Sequence, residues 1–221
     1  MKINVKGSIV PSSDKWIYDW IGIEATSPKD VSGALEKSNG MPVDVEINSG
    51  GGDIFAGSEI YTALRGYAGG VNIHIVGLAA SAASVIAMAG KSEMSPTAMM
   101  MVHNVSSYAE GDYHSMDKQS DVLQQANKTI AAAYVGKTQM SEKDALKMMD
   151  AETWLTAQQA VDKGLVDKVM FADVQLAAAF GNSMIPKSVI DKIRDQIKNP
   201  QAEKQADFLQ TKLNLLKVKV N

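Results

Sequence analysis

Val71-Asn72-Ile73-His74-Ile75-Val76-Gly77-Leu78-Ala79-Ala80-Ser81-Ala82-Ala83-Ser84-Val85-Ile86-Ala87-Met88-Ala89-Gly90 is the most informative stretch of the chain. Val71 to Val76 alternates β-branched and polar residues and reads as a strand. Gly77 to Ala80 reads as a tight turn, and Ser81 to Ala89 as a helix ended by Gly90. That helix is apolar on every side, so it belongs in the interior. The same pattern occurs just upstream. Val43 to Ile47 is a strand that runs into Asn48-Ser49-Gly50-Gly51-Gly52. Beyond the glycines, Ile54, Ala56, Ile60, Ala63 and Leu64 fall at helical spacing. A repeated strand–glycine–helix order predicts crossover units on a mostly parallel sheet, an α/β fold.

The flanks extend this pattern in both directions. Lys2 to Ile9 alternates as a strand that starts almost at Met1, with no leader expected before it. Ser27-Pro28-Lys29-Asp30 opens a helix, with a capping serine, proline at the first helical position and an acid near the positive end of the dipole. Val31, Ala34 and Leu35 share one face of it, and it stops near Gly40. Met99 to Val102 is a strand that leads to His103. A long helix is expected over Ser115–Lys137, with Val122, Ala126, Ile130 and Ala133 in line. A shorter helix over Ser141–Met149 is capped by Ser141 and Asp144. A capping box at Thr156-Ala157-Gln158-Gln159 opens a last helix that ends at Gly164. Residues 186–221 hold eight Lys/Arg against four Asp/Glu, interrupted by Pro200. The expected organisation is therefore an α/β domain over residues 1–174 and a C-terminal helical extension and tail over 175–221.

With 221 residues, 45% hydrophobic and 21% charged, the chain can bury a substantial core without disulfides. The lack of cysteine excludes thiol nucleophiles, iron–sulfur clusters and thiolate zinc sites. A net charge of −3 offers no basic footprint for nucleic acid. No apolar run reaches membrane-spanning length, so no membrane partner is expected and the cytoplasm is the expected compartment. The three histidines have no ligand-like spacing, so neither a metal nor another cofactor is expected.

Three segments carry candidate chemistry. The run Gly50-Gly51-Gly52 can point backbone N–H groups into a concave site. Asp53-Ile54 stands where a phosphate loop needs its Lys-Ser/Thr pair, and no third glycine completes a dinucleotide fingerprint. An oxyanion site survives that comparison, with a plain tight turn as the simpler alternative. Ser81 opens a buried helix, where the dipole and the Ala82 amide favour negative charge; such a serine is either a nucleophile or an N-cap. Ser84, one turn on, is expected to pack against the sheet. His103 ends a strand near the serine turn and is a candidate base. His74, inside a strand, reads as structural, and His114, in a polar connection, as solvated. A carboxylate would be needed to hold the imidazole; Asp150 and Glu152 both stand near Trp154-Leu155.

Four motifs in order resemble the Clp protease proteolytic subunit (ClpP) family. They are Ile47-Asn48-Ser49-Gly50-Gly51-Gly52, Gly77-Leu78-Ala79-Ala80-Ser81 and Met101-Val102-His103-Asn104, then Glu152-Thr153-Trp154-Leu155-Thr156-Ala157 leading into Gly164-Leu165-Val166-Asp167. The resemblance spans roughly residues 3 to 171, and the ordered set is more specific than any one motif. Asp53-Ile54-Phe55-Ala56-Gly57, Ser81-Ala82-Ala83-Ser84 and Glu152-Thr153-Trp154 resemble most the head-maturation (prohead) proteases of phages and prophages.

The resemblance implies a ClpP/crotonase-like fold of repeated β-β-α units, with Ser115–Lys137 as the "handle" helix. It implies Ser81 as nucleophile, His103 as base and the amides of Gly52 and Ala82 as oxyanion donors. The family's aspartate falls on Glu152, with Asp150 as the second choice. It further implies a homo-oligomeric ring, stacked or single, acting on peptide or protein substrates such as capsid or scaffold protein. Asn104-Val105 departs from the family's usual Gln-Pro. The early first strand leaves no segment for contacting an AAA+ unfoldase, so an ATP-driven partner is left open. Two rival readings are a crotonase-like acyl-CoA enzyme, which needs no Ser81/His103 pair, and a catalytically silent ring or capsid component.

Overall fold

The computed structural model describes residues 1–172, and Met1–Met170 form one compact unit. The expected extension over 175–221, and its boundary after residue 174, lie outside the described residues. The chain begins with β1 (Lys2–Ile9), α1 (Lys15–Ile21), β2 (Ala25–Thr26) and α2 (Pro28–Lys37). The first crossover units are β3 (Val43–Gly52) with α3 (Ile54–Arg65), and β4 (Val71–Ala80) with α4 (Ala82–Ala87). They are followed by β5 (Lys91–Met94), β6 (Met99–Val102), α5 (Tyr113–Thr138) and α6 (Glu142–Asp150). β7 (Thr153–Thr156), α7 (Ala157–Asp162) and β8 (Lys168–Val169) complete the described chain.

The main path of the sheet runs β2-β1-β3-β4-β5-β8, and every pairing along it is parallel. β6 joins β4 in parallel, and β7 joins β6 antiparallel. Val45 and Ile47 of β3, and Ile73 and Ile75 of β4, are fully buried, as parallel strands covered on a face require. Every residue of α4 is buried, in accord with its apolar sequence. Ser27 caps α2 with the Asp30 carboxylate, which accepts from the Ser27 amide (2.9 Å) and hydroxyl (2.7 Å). This mixed α/β architecture with a parallel sheet and one long helix is the expected one.

Three local features differ from expectation. Gly77–Ala80 is not a turn, because β4 continues to Ala80 and the turn falls on Ser81. The strand changes partner there: Asn72–Ile75 pair with β5, and Leu78–Ala80 pair with β6. Gly77 marks this fork, where the β3 register slips and the side chain of Asn48 accepts the Leu78 amide (3.1 Å) in place of a ladder bond. The second difference is α1, which buries none of its residues and leaves Trp16 and Trp20 exposed. A helix without a buried face has no periodicity to betray it. The third is the place of His114, which lies in the first turn of α5 rather than in a connection, though it is exposed as expected, its ring 3.9 Å from that of Tyr113.

The candidate active site

The fork in β4 sets the site. Ala80 is level with Met101 in the parallel β4–β6 pair, and the Ser81 amide donates to the Met101 carbonyl at 3.0 Å. The residue after β4 and the residue after β6 therefore leave the sheet side by side. Those residues are Ser81 and His103, and Ser81 Oγ lies 2.8 Å from His103 Nε2. Ser81 has φ +55° and ψ −126°, a left-handed conformation for a non-glycine residue that costs roughly 1–3 kcal/mol. It turns the chain sharply from strand into α4 and lifts the hydroxyl clear of both. Ala82 is the first helical residue, so its N–H has no partner within α4 and points out at the helix N-terminus.

The end of β3 packs directly against this turn. A Cβ at Gly51 (φ +96°) would sit 2.6 Å from Ser81 Cβ, and one at Gly52 (φ +148°) would sit 2.1 Å from the Ile9 carbonyl oxygen. Only glycine fits at either place, for reasons of both φ and space. Buried Ser49 anchors the segment: its hydroxyl donates to the Gly7 carbonyl (2.6 Å) and accepts from the Gly51 amide (3.1 Å). Ser49 was not singled out in the sequence, where a serine before glycines reads only as turn chemistry.

A cleft of about 440 Å³ opens beside Ser81 and His103. Gly52 and Phe55 line it on one side, and Val122, Leu123, Ala126 and Ile130 of α5 on the other. The apolar stripe of α5 thus divides in two. Ala133 belongs to the core and Val122, half exposed, borders the cleft, with buried Ile130 where the two meet. Tyr134 lies at the cleft's inner end, and burial, partly offset by its bond to Ser84, pushes its phenol up to about 12.

Neither candidate acid is hydrogen-bonded to His103. Asp150 Oδ1 accepts from Asn104 Nδ2 at 2.8 Å, and Glu152 Oε1 accepts from Trp154 Nε1 at 3.3 Å. Position nevertheless separates the two. The antiparallel β6–β7 ladder ends with Val102 paired to Thr153, so His103 and Glu152 are the two residues that flank its last pair. Asp150 ends α6, further from that ladder. Glu152 sits at φ +45°, so the chain turns sharply at that residue before entering β7. His74 stands apart, half-buried in β4, with Nδ1 at 2.8 Å from Glu93 Oε1 and Nε2 at 3.3 Å from Asp44 Oδ1. Among the described residues, no three His, Asp or Glu side chains cluster as a metal site requires, and no helix is long and apolar enough to cross a membrane.

Comparison with known proteins shows the family of the chain. The Clp protease family model matches residues 33–173. The chain is 30% identical over 144 residues to "ATP-dependent Clp protease proteolytic subunit 1" of Chlamydia abortus, covering 62% of this chain and 75% of that protein. It is 27% identical over 161 residues to the protein of the same name from Chlamydia muridarum, covering 67% and 84% respectively. Among solved structures, a point mutant of ClpP1 from Listeria monocytogenes superposes with a TM-score of 0.63 at 21% identity, over 76% of this chain and 90% of that one, which shows a shared fold. A family model spanning the serine turn, the histidine and the β6–β7 pair, on a fold of that type, places this chain in the Clp protease family of serine peptidases.

Proposed function

We propose that this chain is a serine endopeptidase in which Ser81 is the nucleophile and His103 its general base. The observation that carries this reading is the 2.8 Å approach of His103 Nε2 to a Ser81 hydroxyl held at a strained strand-to-helix turn. His103 Nε2 takes the Ser81 proton as Oγ bonds to the substrate carbonyl carbon. The oxyanion that forms is received by the Gly52 and Ala82 N–H groups, each donor worth about 3 kcal/mol in such sites. Collapse of this intermediate breaks the C–N bond, with the proton passing from Nε2 to the leaving amine. Water, deprotonated by His103, then releases the acyl group from Ser81.

Glu152 is the acid we assign to His103. Its place beside the last β6–β7 pair, the pair that His103 also flanks, supports this, and swinging its carboxylate from Trp154 Nε1 to His103 Nδ1 would complete the set. Asp150 is already engaged by Asn104, which favours Glu152 over it. As in its family, the protein is expected to work as a homo-oligomeric ring, with α5 in the place of the handle.

The biological role we infer is processing of capsid or scaffold protein during head maturation in a phage or prophage, carried out in the host cytoplasm. The motifs around Asp53, Ser81 and Glu152 support it. A second role, degradation fed by an ATP-driven unfoldase, is favoured by the names of the relatives, both of which are ATP-dependent subunits. Treatment with a fluorophosphonate probe, followed by peptide mapping, tests the chemistry. A single adduct on Ser81, absent in Ser81→Ala and lost in His103→Ala, is expected. An assembled wild-type protein that takes no adduct would refute it. Cleavage of a folded substrate only with ATP and an added unfoldase would decide for the second role.

A further inference from the structure

Behind the serine turn lies a buried polar chain that the peptidase mechanism does not use. Ser84 and Tyr134 are 0% and 1% exposed, in a helix and a neighbourhood otherwise apolar. Ser84 Oγ lies 2.7 Å from the Ser81 carbonyl oxygen and 2.8 Å from the Tyr134 hydroxyl. Proton counting gives this chain a direction. A carbonyl oxygen can only accept, so the single Ser84 hydroxyl proton goes to Ser81. The Tyr134 hydroxyl must then donate to Ser84. Its phenol is pushed up to about 12, so it stays protonated, and stays a donor, at any ordinary pH.

The end point of the chain matters more than its burial. The Ser81 carbonyl and the Ala82 N–H belong to one planar, trans peptide unit, so they point in opposite directions. Whatever holds the carbonyl inward aims the Ala82 N–H outward, toward the space in front of Ser81 Oγ. The Ser81 carbonyl is held by three donors: the Ser84 amide (2.9 Å), the Ser84 hydroxyl (2.7 Å) and the more distant Val85 amide (3.4 Å). The two amides are those of an ordinary helical first turn. The hydroxyl is an addition, tied through Tyr134 to α5, the helix that also forms the far wall of the cleft.

We propose that Ser84 and Tyr134 are positioning residues that, through the chain Tyr134 to Ser84 to the Ser81 carbonyl, lock the Ser81–Ala82 peptide so that its N–H meets the oxyanion. The inference rests on the peptidase reading given above. Its consequence is that the pair acts on the rate of attack at Ser81 rather than on binding in the cleft.

The test uses the full chain, with the second-order rate of fluorophosphonate labelling at Ser81 measured beside the melting temperature. The variants are Ser84→Ala, Tyr134→Phe and the double substitution. Ser84→Ala leaves the Tyr134 hydroxyl buried without a partner, so it should melt below wild type. The double variant removes that orphan and should melt closer to wild type. Its labelling should nonetheless remain about fivefold to tenfold slower than wild type, as loss of one orienting bond predicts. Tyr134→Phe alone, which spares the bond to the carbonyl, should slow labelling less. A double variant that labels at the wild-type rate, or rates that simply follow melting temperature across the series, would overturn the proposal. Wild-type protein that takes no label on Ser81 would instead overturn the peptidase reading, and the positioning role with it.

Discussion

Replacing Gly51 with alanine introduces a Cβ whose ideal position is 2.6 Å from Ser81 Cβ and 2.8 Å from the Ala80 carbonyl oxygen. Ordinary contacts at such a carbon begin near 3.4 Å, so one of the two segments must move by about 0.8 Å. The clash is with backbone and a Cβ, which no rotamer change relieves. The φ of +96° adds a conformational cost of about 1–2 kcal/mol for any residue with a side chain. Ser81 sits at a strained turn and is the easier segment to displace. A shift approaching 1 Å in a reacting group lowers the rate by about 10²-fold. Gly51→Ala should therefore lose about two orders of magnitude in the Ser81 labelling rate and in peptide hydrolysis, while its melting temperature falls by several degrees. Gly50→Ala, one residue away, is the control. Nothing lies within 4 Å of its Cβ position, and it should behave as wild type. Equal reactivity of Gly51→Ala and Gly50→Ala would refute the argument that β3 and the serine turn are packed to this tolerance.

Glu152→Gln should lower kcat by about 10²-fold or more with little change in KM, whereas Asp150→Asn should stay within about threefold of wild type; the reverse order in a peptide-hydrolysis assay would transfer the role to Asp150. Acid sensitivity should trace in part to Asp167. Burial raises its carboxyl, but bonds from the Lys137 ammonium (2.6 Å) and the Ser92 amide (2.6 Å) outweigh that and hold it below its ordinary value. A depressed carboxyl contributes stability above its unfolded value and loses it as pH falls through the lower folded value. The melting temperature should therefore drop as pH falls below the ordinary carboxylate range, and Asp167→Asn should melt lower at neutral pH with a shallower acid decline. An unchanged acid decline in that variant would exclude the contribution. A chain truncated after residue 174 should still assemble and label at Ser81, as light scattering and mass spectrometry would show; loss of either would place the C-terminal segment in the working particle.

Much of this protein can be read directly from local sequence. Capping residues at Ser27, Ser141 and Thr156 mark helix starts whose chemistry lies within three residues, so no tertiary information is needed to place them. The alternating apolar positions of β3 and β4 declare one covered face of a sheet, and α4, apolar all round, declares an interior helix. The ordered motifs around Gly52, Ser81, His103 and Glu152 were equally legible, because each is a contiguous string. Other features depended on how distant segments meet. Gly77 looked like a turn, since glycine's local preference says nothing about a strand exchanging β5 for β6. Helix α1 left no periodic trace because it buries nothing within the chain. The 2.8 Å pairing of Ser81 with His103 exists because Ala80 and Met101 share a register, which sequence spacing cannot encode. Tyr134 meets Ser84 across 50 residues, and nothing local distinguishes that tyrosine from one that merely fills a core. Hydrogen bonds within a turn are set by neighbours along the chain. Those that align a nucleophile are set by the packing of strands and helices that only the folded chain brings together.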